Sequence, residues 1–244
     1  MRLAPLLAGL TLGLSLAAGA ASAQELALSL GDGGSLTARS IQLLVLITLL
    51  SLVPGLAVMV TCFPFIVTVL SILRQAIGLQ QSPPNMLIIS LALFLTYFVM
   101  APTFTQAWES GAAPLIAGSL DLEAAFSAGM EPFRSFMAGR IDPDTFAELL
   151  ALRPDAGVPE SVVRADLSLL VPSFLLSEIA RAFQIGFLVF LPFLIIDLVV
   201  AAVLMSMGMM MVPPAIVSLP FKLAFFVVAD GWSLISGALV RSYF

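Results

Sequence analysis

The chain of 244 residues contains no histidine and one cysteine, Cys62. Without imidazole there is no base tuned near neutrality and no His-based metal or haem ligand. A single thiol excludes an internal disulfide, a CxxC redox pair and an iron–sulfur cluster held within one chain. Charge is scarce as well: 10% of the residues are Asp, Glu, Lys or Arg, against roughly 25% in a soluble domain. What charge there is leans acidic, 15 Asp+Glu to 10 Lys+Arg, which argues against nucleic acid as a partner. The remainder is apolar: 60% of residues, with a mean hydropathy of +1.11. Intrinsic disorder is excluded by that figure. So is a water-facing fold, which could not hide so much apolar surface; the sequence is that of an all-α integral membrane protein. Enzyme chemistry is poorly supplied, and no cofactor or metal is expected.

The first 23 residues have the anatomy of an export signal. Met1-Arg2 supplies a positive start, Leu3 to Ala18 is an apolar run, and Ala21-Ser22-Ala23 fits a small-residue cleavage pattern before Gln24. The alternative is an uncleaved first helix. Residues 24–40 are polar and glycine-containing. Cleavage would start the mature chain outside the cytoplasm.

Two apolar blocks then flank one polar insert. Residues 41–73 carry no charge over 33 positions, about 50 Å if wholly helical, more than the roughly 30 Å of a bilayer core. Pro54 and Pro64 offer kinks. A turn through Arg74 and Pro83-Pro84 leads to a second apolar arm, so 41–101 reads as one helical hairpin. Residues 102–170 hold 14 of the 25 charged residues, four arginines (134, 140, 153, 164) against ten acids. Within this insert, Asp142-Pro143-Asp144-Thr145 reads either as a carboxylate pair or as a helix start with Pro in the first turn; the capping reading is the simpler. Residues 171–244 form the second block, again with a Pro-Pro turn at 213–214. The expected architecture is two long kinked hairpins with Pro-Pro turns around a partly helical, polar, periplasmic insert. Arg74 then lies on the cytoplasmic side, a weak positive-inside signal.

Candidate functional residues lie in the second block. Only five charges occur from 171 to 240: Glu178, Arg181, Asp197, Lys222 and Asp230. Charges in apolar segments are expensive and face an interior, a cavity or a partner. Glu178 and Arg181 share a helical face at i,i+3, either as a local neutral pair or as inter-subunit contacts; Asp197 and Lys222 could bridge within the hairpin or between copies. Methionine fills five of the seven positions 205–211. Thioethers are unbranched, flexible and polarisable, and a double proline after them ends the helix. Repeated around a ring, Met209, Met210 and Met211 would make a deformable collar. Lone Cys62 reads as a small buried hydrophobe.

Several long runs carry a specific resemblance. Pro172-Ser-Phe-Leu-Leu-Ser-Glu178-Ile-Ala-Arg-Ala-Phe-Gln-Ile-Gly-Phe187, Leu191-Pro-Phe-Leu-Ile-Ile-Asp197, Met205-Ser-Met-Gly-Met-Met-Met-Val-Pro-Pro214 and Ser218-Leu-Pro-Phe-Lys222 resemble the signature of the FliP family of flagellar biosynthetic proteins. So do Leu73-Arg-Gln-Ala-Ile-Gly-Leu-Gln-Gln-Ser-Pro-Pro-Asn85 and Leu91-Ala-Leu-Phe-Leu-Thr96. The resemblance covers about 41–240.

It implies a core subunit of the type III export gate in the flagellar basal body of the bacterial inner membrane. Several copies would assemble with FliQ, FliR and other export proteins into a closed channel for unfolded substrates, raised toward the periplasm, with lipid around it. It also implies that Met209, Met210 and Met211 form a gasket; independently of it, Glu178, Arg181, Asp197, Lys222 and Asp230 are read as buried or inter-subunit charge contacts, Glu178 and Lys222 between subunits. One departure stands out: the family's usual Thr-Ser-Phe-Thr-Arg run reads Thr61-Cys62-Phe63-Pro64-Phe65, so an arginine is replaced by Phe65. A homologous virulence-secretion subunit is the nearest alternative, and a proton-coupled transporter, with Glu178 and Asp197 as relay, the alternative from another class.

Overall fold

The computed structural model describes residues 36–79, 83–153, 157, 159–209 and 211–244. The expected cleavage site at Ala23 and Gln24, most of the polar segment 24–40, and Met210 lie outside them. Among the described residues every regular element is helical, so the all-α expectation holds. Contacts divide the chain into two units at Leu52/Val53. The first contributes the N-terminal part of helix α1 (Leu36–Met59), whose described side chains are exposed. Its polar side chains are absorbed locally: the Thr48 hydroxyl donates to the Leu44 carbonyl and Ser51 to that of Thr48, each at 2.7 Å. Such back-bonding lets a hydroxyl sit in an apolar helix without an unpaired donor.

The second unit, Val53–Phe244, holds the rest. Its centre is α2 (Phe63–Ile77), which starts with Pro64 in its first turn, where a missing N–H costs nothing, and ends on Gly78 at φ +88°. The charge-free run 41–73 is therefore two helices broken at 60–62, and Pro54 lies inside α1 without ending it. Phe65, Ile66, Val69, Leu70 and Leu73 are completely buried in α2, packed against α3 (Asn85–Ala107) and α7 (Leu167–Ser206). Arg74 on the last turn of α2 donates to Asn85 at the start of α3.

Two boundaries fall elsewhere than the proline pattern suggests. α3 runs through Pro102 and continues by one π turn (Trp108–Ala112) into α4 (Ala113–Ile116). α7 begins at Leu167 and passes Pro172 and Pro192 unbroken for 40 residues. A proline forfeits one helical hydrogen bond; ending the helix in apolar surroundings would strand several backbone groups. The insert folds back on these helices as α5 (Leu122–Ala138) and α6 (Pro143–Ala151). Gly111 in the π turn permits this, since a Cβ there would lie 2.7 Å from the Ala125 carbonyl oxygen and 2.8 Å from the Gly129 Cα. Met137 of α5 joins Leu170 and Phe174 of α7 in a buried cluster.

Past α7, α8 (Pro214–Val228) and α9 (Gly231–Arg241) are bent by 61°. Asp230, at φ +49°, makes the break. Helices Ser40–Met59, Asn85–Ile116 and Leu167–Ser206 are each long and apolar enough to cross a membrane, and the bent pair would make a fourth span.

Candidate functional site

α7 carries two charged clusters about 28 Å apart along its axis, 19 residues at 1.5 Å each. The first is built on Glu178, whose side chain is fully buried. Its Oε1 accepts from Arg140 Nε at 3.0 Å and from Arg181 at 3.2 Å. The Tyr243 hydroxyl donates to Oε2. Arg140 also donates to the Ser242 carbonyl at 2.8 Å, and its guanidinium lies 4.0 Å from the Tyr243 ring centroid and 5.9 Å from that of Phe65. Burial, with the Glu178 charge adding to it, pushes the Tyr243 phenol well above its ordinary pKa, so it remains a donor. Two guanidiniums face one carboxylate, leaving a local excess of one positive charge; Arg181, a third exposed, is the outward one.

The second cluster joins α2, α7 and α8. The Lys222 ammonium, nearly buried, donates to Asp197 at 2.6 Å and to the Ala76 carbonyl at 3.1 Å. Ser218 donates to the other Asp197 oxygen at 2.5 Å. Ala76 lies in the last turn of α2, where unpaired carbonyls and the helix dipole both attract a cation. The Lys222 charge thus serves a carboxylate and a helix end at once.

Of the five charges singled out in the sequence, the structure brings Glu178 to Arg181 and Asp197 to Lys222. Within the chain Glu178 and Lys222 belong to separate clusters. Asp230 stands apart, exposed at the α8–α9 bend. In the methionine segment, α7 ends at Ser206, Gly208 turns the chain at φ +75°, and Met209 and Met211 are exposed, Met211 at 98%. Met207 and Met209 line an apolar groove with Val199, Val203, Val217 and Phe221. Cys62 is completely buried, its Sγ 4.0 Å from the Thr96 carbonyl.

The Asp142 pattern resolves as capping. Its carboxylate accepts from the Thr145 N–H and hydroxyl, both at 3.0 Å, and these bonds hold it below its ordinary pKa. Arg140, Tyr243 and Ser218 were not legible as site residues. Arg140 reads as one more insert arginine, and Tyr243 lies 65 residues from the carboxylate it meets.

Fold and site together define an all-helical integral membrane protein whose buried charges are held in intrachain ion pairs and whose longest helix ends in a methionine-rich loop. The FliP family profile matches residues 46–239, and the chain belongs to that family. It is 52% identical over 216 residues to the flagellar biosynthetic protein FliP of Caulobacter vibrioides, covering 88% of this chain and 81% of that one. It is 48% identical to that of Agrobacterium fabrum over 86% of each chain. The Bacillus subtilis protein of the same name is 46% identical, over 84% of this chain and 92% of its own.

Proposed function

We propose that this chain, a flagellar export component as its family membership indicates, is a pore-forming subunit of the flagellar type III export gate. Several copies would assemble with FliQ and FliR in the bacterial inner membrane and pass unfolded flagellar substrates. The observation that carries the reading is α7. Its 40 residues, apolar on average, extend about 60 Å, twice a bilayer core of about 30 Å. Fitting all of it into hydrocarbon would need a tilt near 60°, outside the roughly 0–40° that membrane helices adopt. Yet exposed apolar side chains run along it from Leu176 to Met205, Phe183, Phe187, Leu188, Leu198 and Val203 among them. The part beyond the bilayer needs protein to cover it: the insert covers Leu169, Leu170 and Phe174, and sister copies and partner subunits cover the rest.

The exposed thioethers at the end of α7 suit a seal. A channel for polypeptide has to close around nothing and yield to many different side chains, and unbranched methionines re-pack at little cost.

Co-expression with FliQ and FliR, followed by native mass spectrometry in mild detergent, tests the assembly: a large particle with several copies of this chain is expected, and a monomer overturns the reading. Replacing Met209, Met210 and Met211 together by alanine is expected to leave assembly intact and raise small-ion conductance. Unchanged conductance in an assembled mutant removes the collar from the mechanism.

A further inference from the structure

The turn between α5 and α6 is fastened to two distant parts of the chain through one side chain. Arg140 Nε binds Glu178 at 3.0 Å on α7, and a terminal nitrogen binds the Ser242 carbonyl at 2.8 Å beyond α9. Its guanidinium lies between the Tyr243 ring, 4.0 Å away, and the Phe65 ring, 5.9 Å away. Tyr243 closes the circuit through its hydroxyl on Glu178, and Phe136 of α5 stacks on it with ring centroids 6.0 Å apart. Two residues on, the Asp142 N–H donates to Ser177 at 2.9 Å, next to Glu178 on α7. Arg181 shares the carboxylate but stands one turn along the same helix, so it joins nothing that α7 does not already hold. Of the two cations on Glu178, Arg140 is the one that spans segments.

We propose that Arg140 is a positioning residue, a latch holding the polar insert and the C-terminal segment onto α7, and that the latch requires one guanidinium at this point rather than an arginine at this backbone position. Phe65 marks the second seat. It is completely buried, its ring meets the Tyr243 ring edge-on at 5.6 Å, and it projects from α2 toward the same guanidinium. The Phe65 ring lies 5.9 Å from the guanidinium that binds Glu178, so an arginine at residue 65 would enter the same cluster. The latch concerns how the chain holds itself together, so it stands independently of the export reading.

The test compares full-length variants in mild detergent by thermal midpoint and by hydrogen exchange at the C-terminus, where the amides of Ser242 and Tyr243 bond to the Ala238 and Val240 carbonyls. Arg140→Gln is expected to lower the midpoint and speed exchange at these amides by about tenfold or more, because it breaks a buried pair. Arg140→Lys retains part of the protection. Adding Phe65→Arg to Arg140→Gln restores both readouts, whereas adding Phe65→Leu does not. Arg140→Gln with Glu178→Gln loses no more than the worse single change, since coupled partners are not additive. Additive losses overturn the latch, as does a Phe65→Arg, Arg140→Gln protein no better than its leucine counterpart. If Arg140→Gln fails to accumulate in membranes, accumulation becomes the readout for the same pairs: recovery with Phe65→Arg supports the proposal, and no recovery overturns it.

Discussion

Lys222 offers the sharpest quantitative test of the interior charges. Lys222→Met keeps the chain length and removes the ammonium, leaving Asp197 with Ser218 alone and the Ala76 carbonyl without its donor. Breaking a buried ion pair from one side costs about 3–5 kcal/mol. Asp197 is a third exposed, so solvent takes up part of its uncompensated charge and about 2–3 kcal/mol is the fitting share. The lost bond to Ala76 adds about 1 kcal/mol. A total near 3–4 kcal/mol lowers the thermal midpoint of a chain this size by roughly 10 °C. Adding Asp197→Asn to Lys222→Met removes the stranded carboxylate while keeping an acceptor for Ser218, and should recover most of the loss. Thermal unfolding of the four proteins in one detergent, wild type, two singles and the double, measures the coupling. Losses that simply add, or a Lys222→Met protein as stable as wild type, would show that this ion pair does not hold α2, α7 and α8 together.

Further expectations follow from the same geometry. Gly111→Ala drives a Cβ into backbone atoms of α5 that cannot rotate away, so it should cost about 1–3 kcal/mol as an overpacking change; Gly55→Ala, with open space around it, should be neutral or stabilising, and a thermal comparison of the two checks this. The Asp142 cap should depend on pH in one direction. Its folded pKa lies below the ordinary carboxylate value, so its contribution is full above the unfolded pKa and is lost as pH falls through the folded one. Exchange at the Thr145 amide should therefore rise, relative to intrinsic rates, only in strongly acidic buffer, and Asp142→Asn should flatten that dependence. Glu178→Gln and Asp197→Asn should each reduce the yield of assembled complex, while the complex that does form keeps its transport rate; normal assembly with transport abolished would instead identify a proton relay.

The sequence made the class of the fold legible because hydropathy and helix signals are local. The Glu178–Arg181 pair follows from helical spacing, and the Asp142 cap from a turn-sized pattern. Helix ends were less legible. Pro64, read as a kink, and Pro214, read as part of a turn, both sit in the first turns of helices, and Pro54, Pro102, Pro172 and Pro192 lie within helices, since backbone satisfaction in apolar surroundings outweighs one lost bond. The Arg140 contacts were not legible at all. They join positions 38 and 102 residues apart, and no periodicity reports such pairings. The same cluster gives Phe65 a physical setting: its ring lies 5.9 Å from an arginine supplied by the insert.

The disposition of charge bears on what kind of machine this is. A carboxylate that relays protons must lose and regain its counter-ion and meet water on each side in turn. Glu178 is fully buried and faces two guanidiniums and a phenol; protonating it would strand the mostly buried Arg140 cation. Asp197 is tied by an ammonium that also neutralises the end of α2, so its protonation would loosen three helices at once. Both carboxylates are therefore set to hold helices in register. With Asp197 and Lys222 paired inside the chain, the side chains exposed on α7 from Phe183 to Val203 are apolar apart from Gln184, and a neighbour packing there meets shape more than charge. That is the surface expected of a wall element in a many-copy channel, where the adaptable part, the methionine loop, is confined to one end.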